Sequence, residues 1–256
     1  INHYNLFCES LGQLVLQGDV DEIRIFKVEE IFKNTIKTFL LTYDKEHNYT
    51  FYIGIDRNDK IYDNSDNSDN INYIKEFISR TPNLSIEFIY MDDIPKGHLT
   101  KMWNQLFDSA YNDECDYFFQ CGDDIEFLTN GWIDFCINTL VKHNDIGVTG
   151  PIDINNTKLL TQSFVSRKHM KCFGYYFPPE IINWYCDDWI NQIYIRMNRF
   201  YPLSNCKCNN VGGNPRYRIN NENDFNKSCY KMSNLCKSLV EHDYEKFKNM
   251  MQTIED

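Results

Sequence analysis

Apolar residues along this chain recur with two periods, and the changes of period divide it into alternating elements. Ile31, Phe32, Ile36, Phe39 and Leu40 fall at helical spacing, so a helix is expected over 25–44. Tyr49 to Ile55 is β-branched and aromatic and predicts a buried strand ending at Asp56. The run 63–70 is only Asn, Ser and Asp; it has nothing to bury and predicts a mobile loop. A helix over 71–79 and a strand over 84–91 come next, then a helix over 97–111 with Met102, Leu106, Phe107 and Ala110 on one face. A strand over 116–120, a helix over 131–142 and a strand over 146–151, stopped by Gly150-Pro151, continue the pattern. Alternation of this kind predicts an α/β fold with a mainly parallel central sheet and helices on both faces. Residues 1–21 show no clear period and read as a loosely attached lead-in. Beyond Pro151 the alternation weakens and the chain turns aromatic, with helices expected over 189–197 and 230–251 and a loop over 209–226.

Composition narrows the class. A chain of 256 residues, 42% hydrophobic and 15% aromatic, has enough apolar material for one generous core with a small extension. A net charge of -11 without a basic stripe argues against nucleic acid as a partner. It permits a nucleotide ligand whose phosphates are neutralised locally by a metal. No apolar stretch nears the roughly 20 residues of a membrane span, and no charged-then-apolar leader opens the sequence. The chain opens on Ile1, so it is expected to be a fragment or processed form, with an anchor ahead of it left open. Of ten cysteines, most lie in apolar segments where a thiol acts as a small hydrophobe, which suits a reducing, cytosol-like compartment. Cys206 and Cys208 with Cys229 and Cys236 lack the paired spacing of a zinc site.

The chemistry concentrates at Cys115 to Phe127, where an aromatic strand runs into Gly122-Asp123-Asp124, with Glu126 two residues on. Adjacent acids on a turn repel, and an acidic surface turn is the plain structural alternative to a cation or hydroxyl-rich ligand between them. A second acid, Asp56, ends the earlier strand, where capping the next turn is its structural alternative. A third acidic position, Asp187-Asp188, follows the aromatic stretch Phe173 to Phe177 and opens the helix that holds Trp189. N-capping that helix is the alternative use of the pair.

In order along the chain, Asp56, Lys101 to Asn104, Gly122-Asp123-Asp124 and Asp187-Asp188 resemble the GT-A nucleotide-sugar glycosyltransferases, family-2-like members with a DxD motif. The resemblance covers roughly 49–194, and Gly122 stands where many members carry the motif's first acid. It implies a GT-A type, Rossmann-like domain over 1–205, with a nucleotide half about 22–130, an acceptor half about 131–205, and a C-terminal loop and helix over 206–256. The family's first strand should precede the 25–44 helix, and Arg24-Ile25-Phe26 is a poor candidate for it. The resemblance assigns Asp124, with Asp123, to Mn2+ or Mg2+, and offers His169 as a further metal ligand or an acceptor contact, with a partly exposed His on the basic turn Arg167-Lys168-His169 as the structural alternative. Asp56, Lys101, Asn104 and Asp123 would bind the nucleotide-sugar, with Asp56 on the base favouring uridine. Asp188, or Asp187, would be the general base of an inverting transfer to a glycan, protein or small-molecule hydroxyl. Trp184 and Trp189 flank these acids and offer stacking faces to a sugar, with burial in the core as the structural alternative for both, and Arg216 and Arg218 would close over the diphosphate. Two competitors remain: a nucleotidyltransferase, for which a Gly-rich phosphate loop is missing, and a degenerate GT-A domain that only binds glycans or a protein.

Overall fold

The computed structural model describes residues 32–57, 59, 68–212, 218–219 and 224–255. The proposed lead-in, most of the 63–70 run, Arg24-Ile25-Phe26 and Arg216 lie outside them. A π-helical turn Phe32–Ile36 leads into α1 (Lys37–Thr42), the described part of the expected first helix. Then come β1 (Tyr49–Asp56), α2 (Ser68–Ser79), β2 (Leu84–Met91), α3 (Leu99–Asn112), β3 (Tyr117–Gln120), β4 (Ile125–Phe127) and α4 (Trp132–Lys142). The remainder is β5 (Val148–Asp153), β6 (Ser163–Ser166), α5 (Lys168–Phe173), α6 (Cys186–Arg196), β7 (Phe200–Asn210) and α7 (Phe225–Glu255).

The strands form a parallel pair, β1–β2, and a five-stranded sheet in the order β3-β6-β5-β7-β4. Only β5/β7 is parallel in the larger sheet; β3/β6, β5/β6 and β4/β7 are antiparallel. The expected mainly parallel sheet is therefore corrected to a mixed one. The cause is connection length: β5 returns as β6 without an intervening helix, and a parallel return would need a crossover of a dozen residues or more. The α/β class itself holds, and the strands alternate between two apolar layers. Phe118 and Val165 point to one, with α3, α5, α6 and α7; Tyr117, Phe119 and Phe164 point to the other, with α1 and α4. β1 does the same, sending Tyr52 to the first layer and Tyr49 and Phe51 to the second. Helices thus lie on both faces.

Two boundaries move. Gly150-Pro151 does not stop β5, which runs to Asp153; the register shifts between Pro151 and Ile152, where the imide has no N–H to give the ladder. The division at 205/206 falls inside β7, whose residues 208–210 pair with β4 from the other half of the chain. The C-terminal segment is thus part of the main sheet. Among the described residues no helix is long and apolar enough to cross a membrane.

Candidate active site

The acid turn is built by its backbone. β3 ends at Gln120 and β4 opens on fully buried Ile125, so Cys121 to Asp124 must reverse direction in four residues. Thr35, from the π-turn, donates from Oγ1 to the Asp123 carbonyl (2.8 Å) and accepts from Ile125 N (3.2 Å). Val211 N, just beyond β7, donates to the Asp124 carbonyl (3.0 Å). Asp123 is exposed, while the Asp124 carboxylate is half-buried against Gly122 and Gly212.

Pairing fixes what shares this edge. Gln120 faces Ser163, Asp153 faces Cys208, and Ile125 faces Asn210, so the ends of β3, β5 and β7 lie together. Asp153, almost fully buried, is a site residue that the sequence reading missed. Its Oδ1 accepts from Asn155 N (2.9 Å) and Asn210 N (3.4 Å), and its Oδ2 accepts from Thr161 Oγ1 (3.2 Å). The signal was available, because Asp153 closes an apolar strand as Asp56 does. Glu126 accepts from its cross-strand partner Asn209 Nδ2 (2.7 Å), and Asn155 donates to Asn209 Oδ1 (2.7 Å), which ties the loop beyond β5 to the β4/β7 pair.

The second pair of acids opens α6, after Tyr185 in the left-handed region at φ 77°. Asp187 Oδ1 accepts from Asp188 N (3.1 Å) within the first turn, while the N-cap position is Tyr185 and makes no side-chain cap, so neither acid is the N-cap. Asn191, one turn on and also missed, donates to the Asp187 carbonyl (2.7 Å) and to the Leu160 carbonyl (2.8 Å), and accepts from Leu160 N (2.9 Å). Leu160 precedes Thr161, the partner of Asp153. The first turn of α6 is thereby fastened to the edge that carries the acid turn. Burial, reinforced by the neighbouring Asp188 charge, pushes the Asp187 carboxyl up to about 6, and burial raises Asp188 as well.

The same end receives β1. Asp56 pairs in register with Met91, and α3 starts eight residues beyond Met91. Thr100, in the first turn of α3, hydrogen-bonds through its hydroxyl to the Ile181 carbonyl and through its N–H to that of Ile182 (3.3 Å). Asn183 Nδ2 donates to the Gly97 carbonyl (3.2 Å). Asp56 and exposed Lys101 therefore lie at the end of the molecule where 181–183 leads into Asp187.

Two expected site residues serve the fold instead. Asn104 accepts with Oδ1 from Tyr176 N (3.0 Å) and Phe177 N (2.9 Å) and donates to the Phe177 carbonyl (2.8 Å), so its amide brackets the aromatic loop rather than meeting a nucleotide. His169 is buried with Nδ1 on the Tyr194 hydroxyl (2.8 Å) and Nε2 on the Tyr176 carbonyl (3.0 Å). Burial lowers its pKa to about 4. Both nitrogens are engaged in the core, so His169 is withdrawn as a metal ligand. Trp189 is likewise core, its indole N–H donating to buried Asp243 (3.2 Å), whereas Trp184 stays partly exposed, edge-on to Phe225. Arg218 is exposed. Cys206 and Cys208 are buried among the residues of the second layer, apart from Cys236 in the first, so the four cysteines do not converge.

Among the described residues no group of three His, Cys, Asp or Glu side chains could hold a metal alone. The available set is the two adjacent carboxylates, Asp123 and Asp124. Oxygen-only donors of that number suit a hard divalent cation that takes its other ligands from phosphate and water. What the edge offers is two carboxylates for a cation, a carboxyl poised near neutrality, and an exposed indole beside it. No protein-family model matches this chain, and no curated protein matches it either.

Proposed function

We propose that the chain is a metal-dependent glycosyltransferase of GT-A type, moving a sugar from a nucleotide-sugar, with UDP favoured, onto an acceptor hydroxyl with inversion. The observation that carries the proposal is the coupling of two acidic positions at one sheet edge: the turn Asp123-Asp124 and the α6 start Asp187-Asp188, joined through Asp153, Thr161, Leu160 and Asn191. Ligands of open α/β sheets bind outside the carboxyl ends of strands, and the Asp123-Asp124 turn lies beyond the carboxyl end of β3, which runs in the same direction as β5 and β7.

Asp124, with Asp123, would hold Mn2+ or Mg2+, which when bound neutralises the diphosphate as it leaves. Asp56 and Lys101 would take the nucleoside and phosphate parts of the donor. The acceptor proton would go to the Asp187-Asp188 pair. A base works best when its pKa lies near the working pH, and the Asp187 carboxyl, up to about 6, is charged at neutrality yet basic enough to accept a proton. This favours Asp187 as the base, with Asp188 raising its pKa through charge, the reverse of the roles read from the sequence. Trp184 would offer its ring to a sugar face.

Calorimetric titration with UDP-, GDP- and ADP-sugars, with and without Mn2+, tests the reading. Mn2+-dependent binding of a UDP-sugar, abolished in Asp124→Ala, is the expected result. Binding that ignores Mn2+ and survives Asp124→Ala would overturn it, and donor binding without turnover over an acceptor panel would leave a binding module.

A further inference from the structure

We infer that Gly122 and Gly212 are positioning residues for the Asp124 carboxylate, so that the oxygen-donor site on the acid turn depends on two positions having no side chain. The inference rests on the donor-site reading above and adds residues that hold no ligand themselves.

A Cβ at position 122 would lie 2.5 Å from Asp124 Oδ1. A Cβ at position 212 would lie 2.0 Å from Asp124 Oδ2, 3.0 Å from its Cγ and 2.9 Å from Asn210 Oδ1. The two glycines approach the two carboxylate oxygens from different parts of the chain, one from the end of β3 and one from beyond β7. Neither is needed for its backbone: Gly97, Gly131 and Gly174 have left-handed φ values of 85°, 71° and 79°, whereas Gly122 and Gly212 do not occupy that region. Space, not conformation, excludes a side chain here.

The surroundings decide which atom would yield. The turn is clamped by Thr35 on one side and by Val211 N on the Asp124 carbonyl on the other. Gly212 N donates to Asn210 Oδ1 (3.0 Å), and Asn210 N reaches buried Asp153 (3.4 Å), which holds the second wall. Against a fixed backbone the movable atoms are those of the Asp124 side chain, which leaves the clash by changing rotamer. A methyl at either glycine therefore costs the fold little and moves the carboxylate away from its place on the turn.

The test uses Gly122→Ala and Gly212→Ala, with Leu128→Ala, at an exposed leucine just beyond β4, as control, and follows Mn2+ by electron paramagnetic resonance with and without UDP, beside thermal melts. Each glycine variant should weaken Mn2+ binding by about tenfold or more while melting like the parent, the scale seen when a residue supporting a ligand is changed. Leu128→Ala should leave both unchanged. Equal Mn2+ affinity in both glycine variants and a binding parent would overturn this inference alone. A parent that binds no Mn2+ would overturn the donor-site reading and this inference with it. If one glycine variant fails to fold, the backbone has yielded instead of Asp124, its positioning role is overturned, and the other variant decides the remainder.

Discussion

At the scale of single residues, two titratable groups respond in the same acidic window with opposite signs. Asp187 has a folded pKa of about 6, above the roughly 3.9 of an unfolded aspartate, so the protonated form is favoured in the native state. Its stabilising contribution is complete below about pH 4 and is lost as pH rises through about 6, leaving a desolvated charge that costs about 3 kcal/mol at pH 7.5. Asp187→Asn should therefore raise the urea midpoint at pH 7.5 and lose that advantage at pH 4. Transfer should fall by about two orders of magnitude or more, while donor affinity changes little. If Asp188→Asn loses transfer and Asp187→Asn keeps it, the roles revert to those read from the sequence. His169 works the other way. Its folded pKa of about 4 lies below the unfolded value of about 6.5, so its contribution is complete above pH 6.5 and is lost as pH falls toward 4, by about 3 kcal/mol. His169→Gln, which cannot titrate, should flatten the fall in midpoint between pH 7 and pH 4.5; an unchanged slope would show that other groups control acid sensitivity.

At the scale of elements, the aromatic loop is held by one amide. Asn104 on α3 makes three hydrogen bonds to the backbone of Tyr176 and Phe177, and Phe177 is fully buried against Trp103. Asn104→Leu removes all three partners at once and leaves buried amide groups unpaired, at about 1–3 kcal/mol each. Urea unfolding should show a loss of several kcal/mol, and the amides of Tyr176 and Phe177 should exchange faster than their neighbours. A variant as stable as the parent would mean that Phe177 burial alone fixes the loop. The strands β4, β6 and β7 were not anticipated, and each has a physical reason. β4 is only three residues long, too short for a period to register, and β6 has just two apolar residues, Phe164 and Val165, between two serines. β7 carries Pro202 and a run of Ser, Asn and Lys, a composition that reads as loop and becomes strand only because β5 and β4 supply hydrogen-bond partners on its two edges.

At the scale of the whole molecule, the C-terminal segment completes the core. β7 crosses residue 205, and α7 places Met232, Cys236, Val240 and Phe247 in the first apolar layer beside Trp189 and Ile193. Chain 1–205 should therefore show no cooperative unfolding by circular dichroism, whereas the full chain should; a cooperative transition in the shortened form would mean that the larger sheet closes without β7. The sequence by itself determined the α/β class, β1, β2 and β3, the long helices, and the placing of acids at strand ends, because these depend on local periodicity and on composition at a turn. Only the tertiary structure decided that the sheet is mixed, that Asn104 and His169 are spent on the core, that Asp153 and Asn191 join the acidic positions, and that Gly122 and Gly212 enclose Asp124. Most of those outcomes depend on at least one partner tens of residues away in the chain, and the hydrogen-bonding capacity of a side chain does not reveal from sequence which distant group will fill it.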